Sequence, residues 1–159
     1  MLLHISSLLF FIQTMLGTLP APAQTESVNW ISFEQLAALQ KKEPRMVLIH
    51  IYTPWCGYCK RMDKEVFTNQ TVIRTINKKY YAIKFNAESN ANIVFNGKTY
   101  AYNAKYSKRR NGAHELAIKL MNDNTLYPSE IILDTRYNTI QLVRGSSTAE
   151  DLIQVLSDI

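Results

Sequence analysis

Met46-Val47-Leu48-Ile49-His50-Ile51-Tyr52-Thr53-Pro54-Trp55-Cys56-Gly57-Tyr58-Cys59-Lys60 decides how the rest of the chain is read. Its first seven residues are nearly all apolar, which suits a strand buried on both faces. Pro54 cannot donate to a ladder and ends that strand. A helix is predicted from near Gly57, because Cys59, Met62, Val66 and Phe67 fall on one helical face. The two cysteines therefore sit at a βα junction, and they are the only two in 159 residues. Two thiols separated by two residues at a helix start can close into a small disulfide and reopen, which reads as redox chemistry.

Other uses of a cysteine pair fit less well. A disulfide across so short a loop removes little chain entropy, so a stapling role is a poor explanation. A zinc site needs two further ligands, and His50 and His114 lie outside any zinc-ligand spacing. No metal and no cofactor is expected, since the two sulfurs can carry the electrons themselves.

Length and composition allow one globular domain: 47% of residues are apolar and 19% charged. Residues 1–25 carry no charged side chain. Leu8-Leu9-Phe10-Phe11-Ile12 and Met15-Leu16 form an apolar stretch, and Ala21-Pro22-Ala23 gives small residues at a cleavage-site spacing. We read residues 1–23 as a secretory signal peptide, leaving a mature domain over 24–159 with a periplasmic or otherwise extracytoplasmic address. The n-region lacks Lys and Arg, so an uncleaved anchor is the rival; Ser6, Ser7, Gln13, Gly17 and Pro20 would make it a poor spanning helix. The formal net charge of +5 is densest at Lys105, Lys108, Arg109 and Arg110. That cluster reads as a solvated loop, and nothing in it has the aromatic-basic pattern of a nucleic-acid binder.

Along the chain, Ser32 and Gln35 form a capping-box signature for a helix over about 32–42. Asn69 can cap a second turn of helix carrying Val72, Ile73 and Ile76. Tyr81–Phe85 reads as a strand. Residues 87–112 are rich in Asn and Gly and read as an insertion, with a hairpin turning at Asn96-Gly97. A helix over about 113–121, a buried strand at Ile131-Ile132-Leu133, a turn at Asp134–Asn138, a strand at Thr139–Arg144 and a helix capped by Thr148 complete the order.

On Val47–Lys60, Phe67–Val72, Tyr127-Pro128 and Gly145, the chain resembles the thioredoxin superfamily over about residues 30–159. It is most similar to exported thioredoxin-related proteins, including the C-terminal domain of the membrane disulfide reductase. The resemblance implies an α/β thioredoxin-like fold, a central mixed sheet flanked by helices. It implies Cys56 as the nucleophile at the helix N-terminus and Cys59 as the protected resolving thiol, with Gly57 allowing close approach and Trp55 shielding one side. It further implies that Pro128 is cis beside the cysteines, and that the Tyr127 backbone pairs with an extended substrate segment.

Two departures stand out. Thioredoxins carry a buried Asp six residues before the first cysteine, and His50 stands there. Histidine can also relay a proton, or it can simply be a hydrogen-bonded core residue. Lys84 matches the family's lysine on the neighbouring strand, where it could bias a thiol or lie exposed. The intervening Gly57-Tyr58 resembles the periplasmic disulfide isomerase. That enzyme uses a separate dimerisation domain, for which this sequence leaves no room. The expected function is thus an exported thiol–disulfide oxidoreductase that reduces protein disulfides, fed by a membrane electron donor. The alternatives are an oxidase or isomerase, or a redox-inactive binding module.

Overall fold

The computed structural model describes residues 26–106 and 112–159. The expected signal segment, and Lys108, Arg109 and Arg110 of the basic cluster, lie outside the described residues. Among the described residues, five helices and eight strands follow in the order α1 (Phe33–Lys42), β1 (Met46–Tyr52), α2 (Gly57–Glu65), α3 (Gln70–Lys79), β2 (Tyr80–Asn86), β3 (Ile93–Phe95), β4 (Lys98–Tyr100), β5 (Tyr102–Asn103), β6 (Ala113–His114), α4 (Glu115–Leu120), β7 (Ser129–Leu133), β8 (Thr139–Arg144) and α5 (Ala149–Ser157).

The central sheet has the order β2-β1-β7-β8. β2 runs parallel to β1, from Met46 opposite Tyr80 to Tyr52 opposite Asn86. β7 and β8 are antiparallel additions on the other side. β1 is therefore an inner strand covered on both faces, which is why its sequence is almost continuously apolar. Its alternate residues serve two cores. Val47, Ile49 and Ile51 pack with Phe33 and Leu36 of α1, Phe95 of the hairpin and Leu116 of α4. Leu48 packs on the opposite face with Met62 of α2, Ile73 and Ile76 of α3, Ile132 of β7 and Leu152 and Leu156 of α5. The expected mixed sheet flanked by helices is the architecture found.

Local signals set several boundaries. Both capping-box bonds form at α1 between Ser32 and Gln35, and Thr148 and Asp151 do the same at α5. At the hairpin turn Asn96 and Gly97 take φ values of 48° and 74°, the left-handed region that Asn and Gly tolerate best.

Three expectations need correction. The helix after the cysteines ends at Glu65, and Val66 caps it. Phe67 N–H reaches back to the Met62 carbonyl at 3.0 Å, so Val66 and Phe67 join the core from the turn instead of from the helix. The insertion holds a second strand pair, β5 with β6. This takes Ala113 and His114 out of the expected helix, because His114 N–H is drawn to the Ala87 carbonyl at 2.7 Å. Finally, β7 begins at Ser129, so two polar residues, Ser129 and Glu130, enter the buried strand ahead of Ile131.

Candidate active site

β1 delivers the chain to Thr53, whose carbonyl accepts the Cys56 N–H at 3.1 Å. That turn sets Cys56 as the N-cap of α2, with extended φ and ψ, and aims its sulfur at the first helical turn. The Cys59 N–H donates to Cys56 Sγ at 3.1 Å. Cys56 and Cys59 are joined as a disulfide, with Cα atoms 5.3 Å apart. A sulfur at this position faces the unpaired N–H groups and positive end of the helix dipole, which favour a thiolate once the disulfide opens. Cys59 lies one turn on, toward the core beside Met62, and is 1% exposed. Cys56 is only 4% exposed, so in the disulfide state the sequence-based contrast between an open and a covered cysteine is small.

The rim is aromatic. Trp55 is 59% and Tyr58 61% exposed, unusual for large apolar side chains. Trp55 is held in place: its indole N–H donates to Glu88 Oε1 at 2.8 Å, and its ring meets Tyr127 edge-on at 6.0 Å. The Arg61 guanidinium lies 5.1 Å over the Tyr58 ring. A shallow depression of about 280 Å³ opens among Gly57, Tyr58 and Arg61. A Cβ on Gly57 would meet nothing within 4 Å, so no neighbouring atom of the fold demands glycine there. A larger polar cleft, about 500 Å³, lies between α2 and the start of α5 and includes neither cysteine.

The Tyr127–Pro128 peptide is cis. The Pro128 carbonyl accepts the Gly145 N–H at 2.9 Å, which ties the loop before β7 to the end of β8. The Trp55–Tyr127 contact brings this loop against the cysteine loop. Burial, with the Glu88 carboxylate second, pushes the Tyr127 phenol up to about 12, so it stays protonated at neutral pH.

Behind the cysteines, His50 is fully buried, and its Nδ1 lies 2.9 Å from Glu130 Oε1, also fully buried. Lys84 is half-buried; its ammonium is held by Asp63 of α2 at 2.6 Å and lies 5.0 Å from the Tyr52 ring. Its charge is thus matched within the protein by a carboxylate.

Residues 33–159 match the family of thioredoxin-like domains. The chain belongs to that family. The thioredoxin-like domain is similar in fold to a thioredoxin from Thermus thermophilus, at 17% identity, TM-score 0.60, covering 83% of this chain and 86% of that one. It is similar also to a putative disulphide isomerase from Bacteroides thetaiotaomicron, at 18% identity, TM-score 0.58, with 85% and 94% covered. A DsbH oxidoreductase gives 13% identity, TM-score 0.56, with 86% and 88% covered. No protein of curated function matches the sequence. With its disulfide-bonded Cys-Gly-Tyr-Cys pair, this thioredoxin-like domain is of the thiol–disulfide oxidoreductase kind.

Several site residues were not singled out from sequence. Glu88 reaches Trp55 from a loop 33 residues away, and Asp63 takes Lys84 across the layers. Neither carries a local signal. Glu130 had one: a carboxylate directly beside the apolar run Ile131-Ile132-Leu133, whose strand extends back to include it.

Proposed function

We propose that this domain reduces disulfides of protein substrates outside the cytosol, with Cys56 attacking and Cys59 resolving. The observation that carries this reading is Cys56 Sγ at the N-terminus of α2, receiving the Cys59 N–H. In the reduced protein, Cys56 thiolate attacks one sulfur of a substrate disulfide and expels the other as a thiolate. Cys59 then attacks Cys56 Sγ, loses its proton, and releases the remaining substrate sulfur with the bonding pair. Two electrons pass to the substrate, and the protein is left as the Cys56–Cys59 disulfide. A membrane-bound dithiol donor must reduce it again for turnover.

The exposed rings of Trp55 and Tyr58 give an apolar landing surface around the cysteines. On this reading the Tyr127 backbone pairs with an extended substrate segment; the packing of its cis-proline loop on Trp55 supports it. The direction of electron flow is tested by the reduction potential of the pair. A reductase should equilibrate with glutathione or a reference thioredoxin closer to about −270 mV than to about −120 mV. A value at the oxidising end would make the domain an oxidase. Export rests on the uncharged, apolar first 25 residues. Intact mass of the protein purified from its host should correspond to a chain starting at Gln24; a full-length chain in the membrane fraction would mean an anchor.

A further inference from the structure

Two ionisable side chains are sealed under the active-site helix, and the dithiol chemistry described above uses neither. His50 on β1 and Glu130 on β7 are register partners in the antiparallel pair. Both are 0% exposed, and Nδ1 and Oε1 are 2.9 Å apart. Leu48 and Ile132, the partners two residues away, belong to the core under α2 that includes Met62 and Phe67. Side chains two residues apart on a strand share a face. His50 and Glu130 therefore lie on the α2 side of the sheet, about 7 Å further along β1 toward the turn that leads to Cys56. The His50 ring packs edge-on against Phe67 at 4.8 Å and stacks with Tyr52 at 6.1 Å. Cys59 and Met62 are the buried residues of α2 above this layer.

The pair is not a closed ion pair. His50 Nε2 and Glu130 Oε2 are both buried without a hydrogen-bond partner among the described residues, as is Thr53 Oγ1 at the end of β1. A buried pair kept only for stability would have its remaining polar atoms satisfied, because an unsatisfied one costs about 1–3 kcal/mol. Charged groups on the neighbouring elements are paired, used in capping or exposed, as at Lys84, Asp151 and Glu150. Lys84, opposite His50 on β2, is paired with Asp63 of α2. On β8, Val143 lies opposite Glu130 and does not titrate. Asp151 is used in capping α5, and Glu150 is exposed in its first turn. Among the described residues, Tyr52 is the titratable side chain in ring contact with His50.

We propose that His50 and Glu130 act as one buried proton-holding unit that takes the Cys59 proton during resolution, with Glu130 supplying from β7 the carboxylate that β1 lacks. This deepens the reductase reading and rests on it. As Cys59 sulfur attacks Cys56, the Cys59 proton passes to the unprotonated pair, which becomes an imidazolium–carboxylate or imidazole–carboxylic acid unit. The substrate sulfur leaves with the electron pair, and the proton later returns to solvent. Burial raises the Glu130 carboxyl above its ordinary value, while the hydrogen bond and charge of His50 hold it down. Burial and His50 thus act on the Glu130 carboxyl in opposite senses.

The test uses the full-length reduced protein and a symmetric aromatic disulfide that releases one coloured thiolate at each step. The first release reports attack by Cys56 and the second reports resolution by Cys59. The second release should rise with pH through a single midpoint. Glu130→Gln keeps an acceptor for the His50 ring but removes the carboxylate, and should move that midpoint down. His50→Gln removes the group that holds the carboxyl down, and should move it up. The first release should keep the profile of the unaltered protein in both. Where a variant does not fold, the Glu130 carboxyl carbon of the unaltered protein is followed by NMR titration, and its midpoint should differ between the oxidised and reduced forms. Unmoved second-release midpoints, or one carboxyl midpoint in both redox states, overturn the role of the pair and leave the dithiol reading standing. Absence of any second release from the unaltered protein overturns both.

Discussion

Cys56 and Cys59 differ less in depth than in what their sulfurs meet. Cys56 receives a backbone N–H at the helix start, while Cys59 sits on the apolar side of the same turn. The spacing of the motif made these two positions legible, because a helix start and its inward face are both local properties. Glu130 was harder to see, since its meaning comes from a partner 80 residues away on another strand. His114 shows the same limit. In sequence it was no more than an unsuitable zinc ligand; in the fold it caps α4, with Nδ1 accepting the Leu116 N–H and Nε2 on the Ala91 carbonyl. Burial holds its imidazole below the ordinary value, outweighing the contact with Ala91 and the charge of Glu115. The unfolded chain therefore takes up a proton near pH of about 6.5 that the folded chain refuses. Stability from this residue is complete above that pH and is lost as pH falls toward the folded value. Urea unfolding should show this as a slope of at most about 1.4 kcal/mol per pH unit below neutrality. In His114→Asn, which can still cap, the slope should be smaller; an unchanged slope would show that His114 does not titrate with folding.

Helix ends and tight turns were the elements most open to reading, because their signals lie within three or four residues. Ser32, Asn69 and Thr148 all cap the helices expected of them. Asn69 accepts from the N–H groups of Thr71 and Val72, and α3 then buries Val72, Ile73 and Ile76 against the sheet. Asn69→Ala should cost about 1 kcal/mol in denaturant unfolding, and Asn69→Gly only a few tenths. No loss in either variant would mean that the cap side chain contributes nothing. The elements that escaped sequence reading are those decided at a distance. β5 and β6 are two residues each, and their pairing depends on closure of the insertion, not on local propensity. The early end of α2 follows from Phe67, which must leave the helix to reach the layer where it meets Trp30 and His50.

The molecule as a whole was legible as a layered α/β domain because β1 reads as buried on both faces, and a strand of that kind needs helices above and below. One layer, with α1, α4 and the hairpin, supports the sheet from behind. The other, with α2, α3 and α5, carries the disulfide on one side and the His50–Glu130 pair beneath. The insertion contributes to the first layer through Phe95, whose ring meets Phe33 at 5.7 Å, so it shares the core beneath the sheet. The cysteine loop follows β1 and the cis-proline loop precedes β7, at the same end of two neighbouring strands, and they meet through Trp55 and Tyr127. That meeting puts Trp55 and Tyr127 together on the face that the proposed function assigns to an extended disulfide-bonded chain. The most direct measurement is capture of a disulfide-bonded protein such as insulin by the reduced Cys59→Ser variant, mapped by mass spectrometry. A long-lived mixed disulfide through Cys56 is expected, and little or none with Cys56→Ser under the same conditions. Capture by Cys59 in the Cys56→Ser variant at an equal rate, or no capture by either, would contradict this.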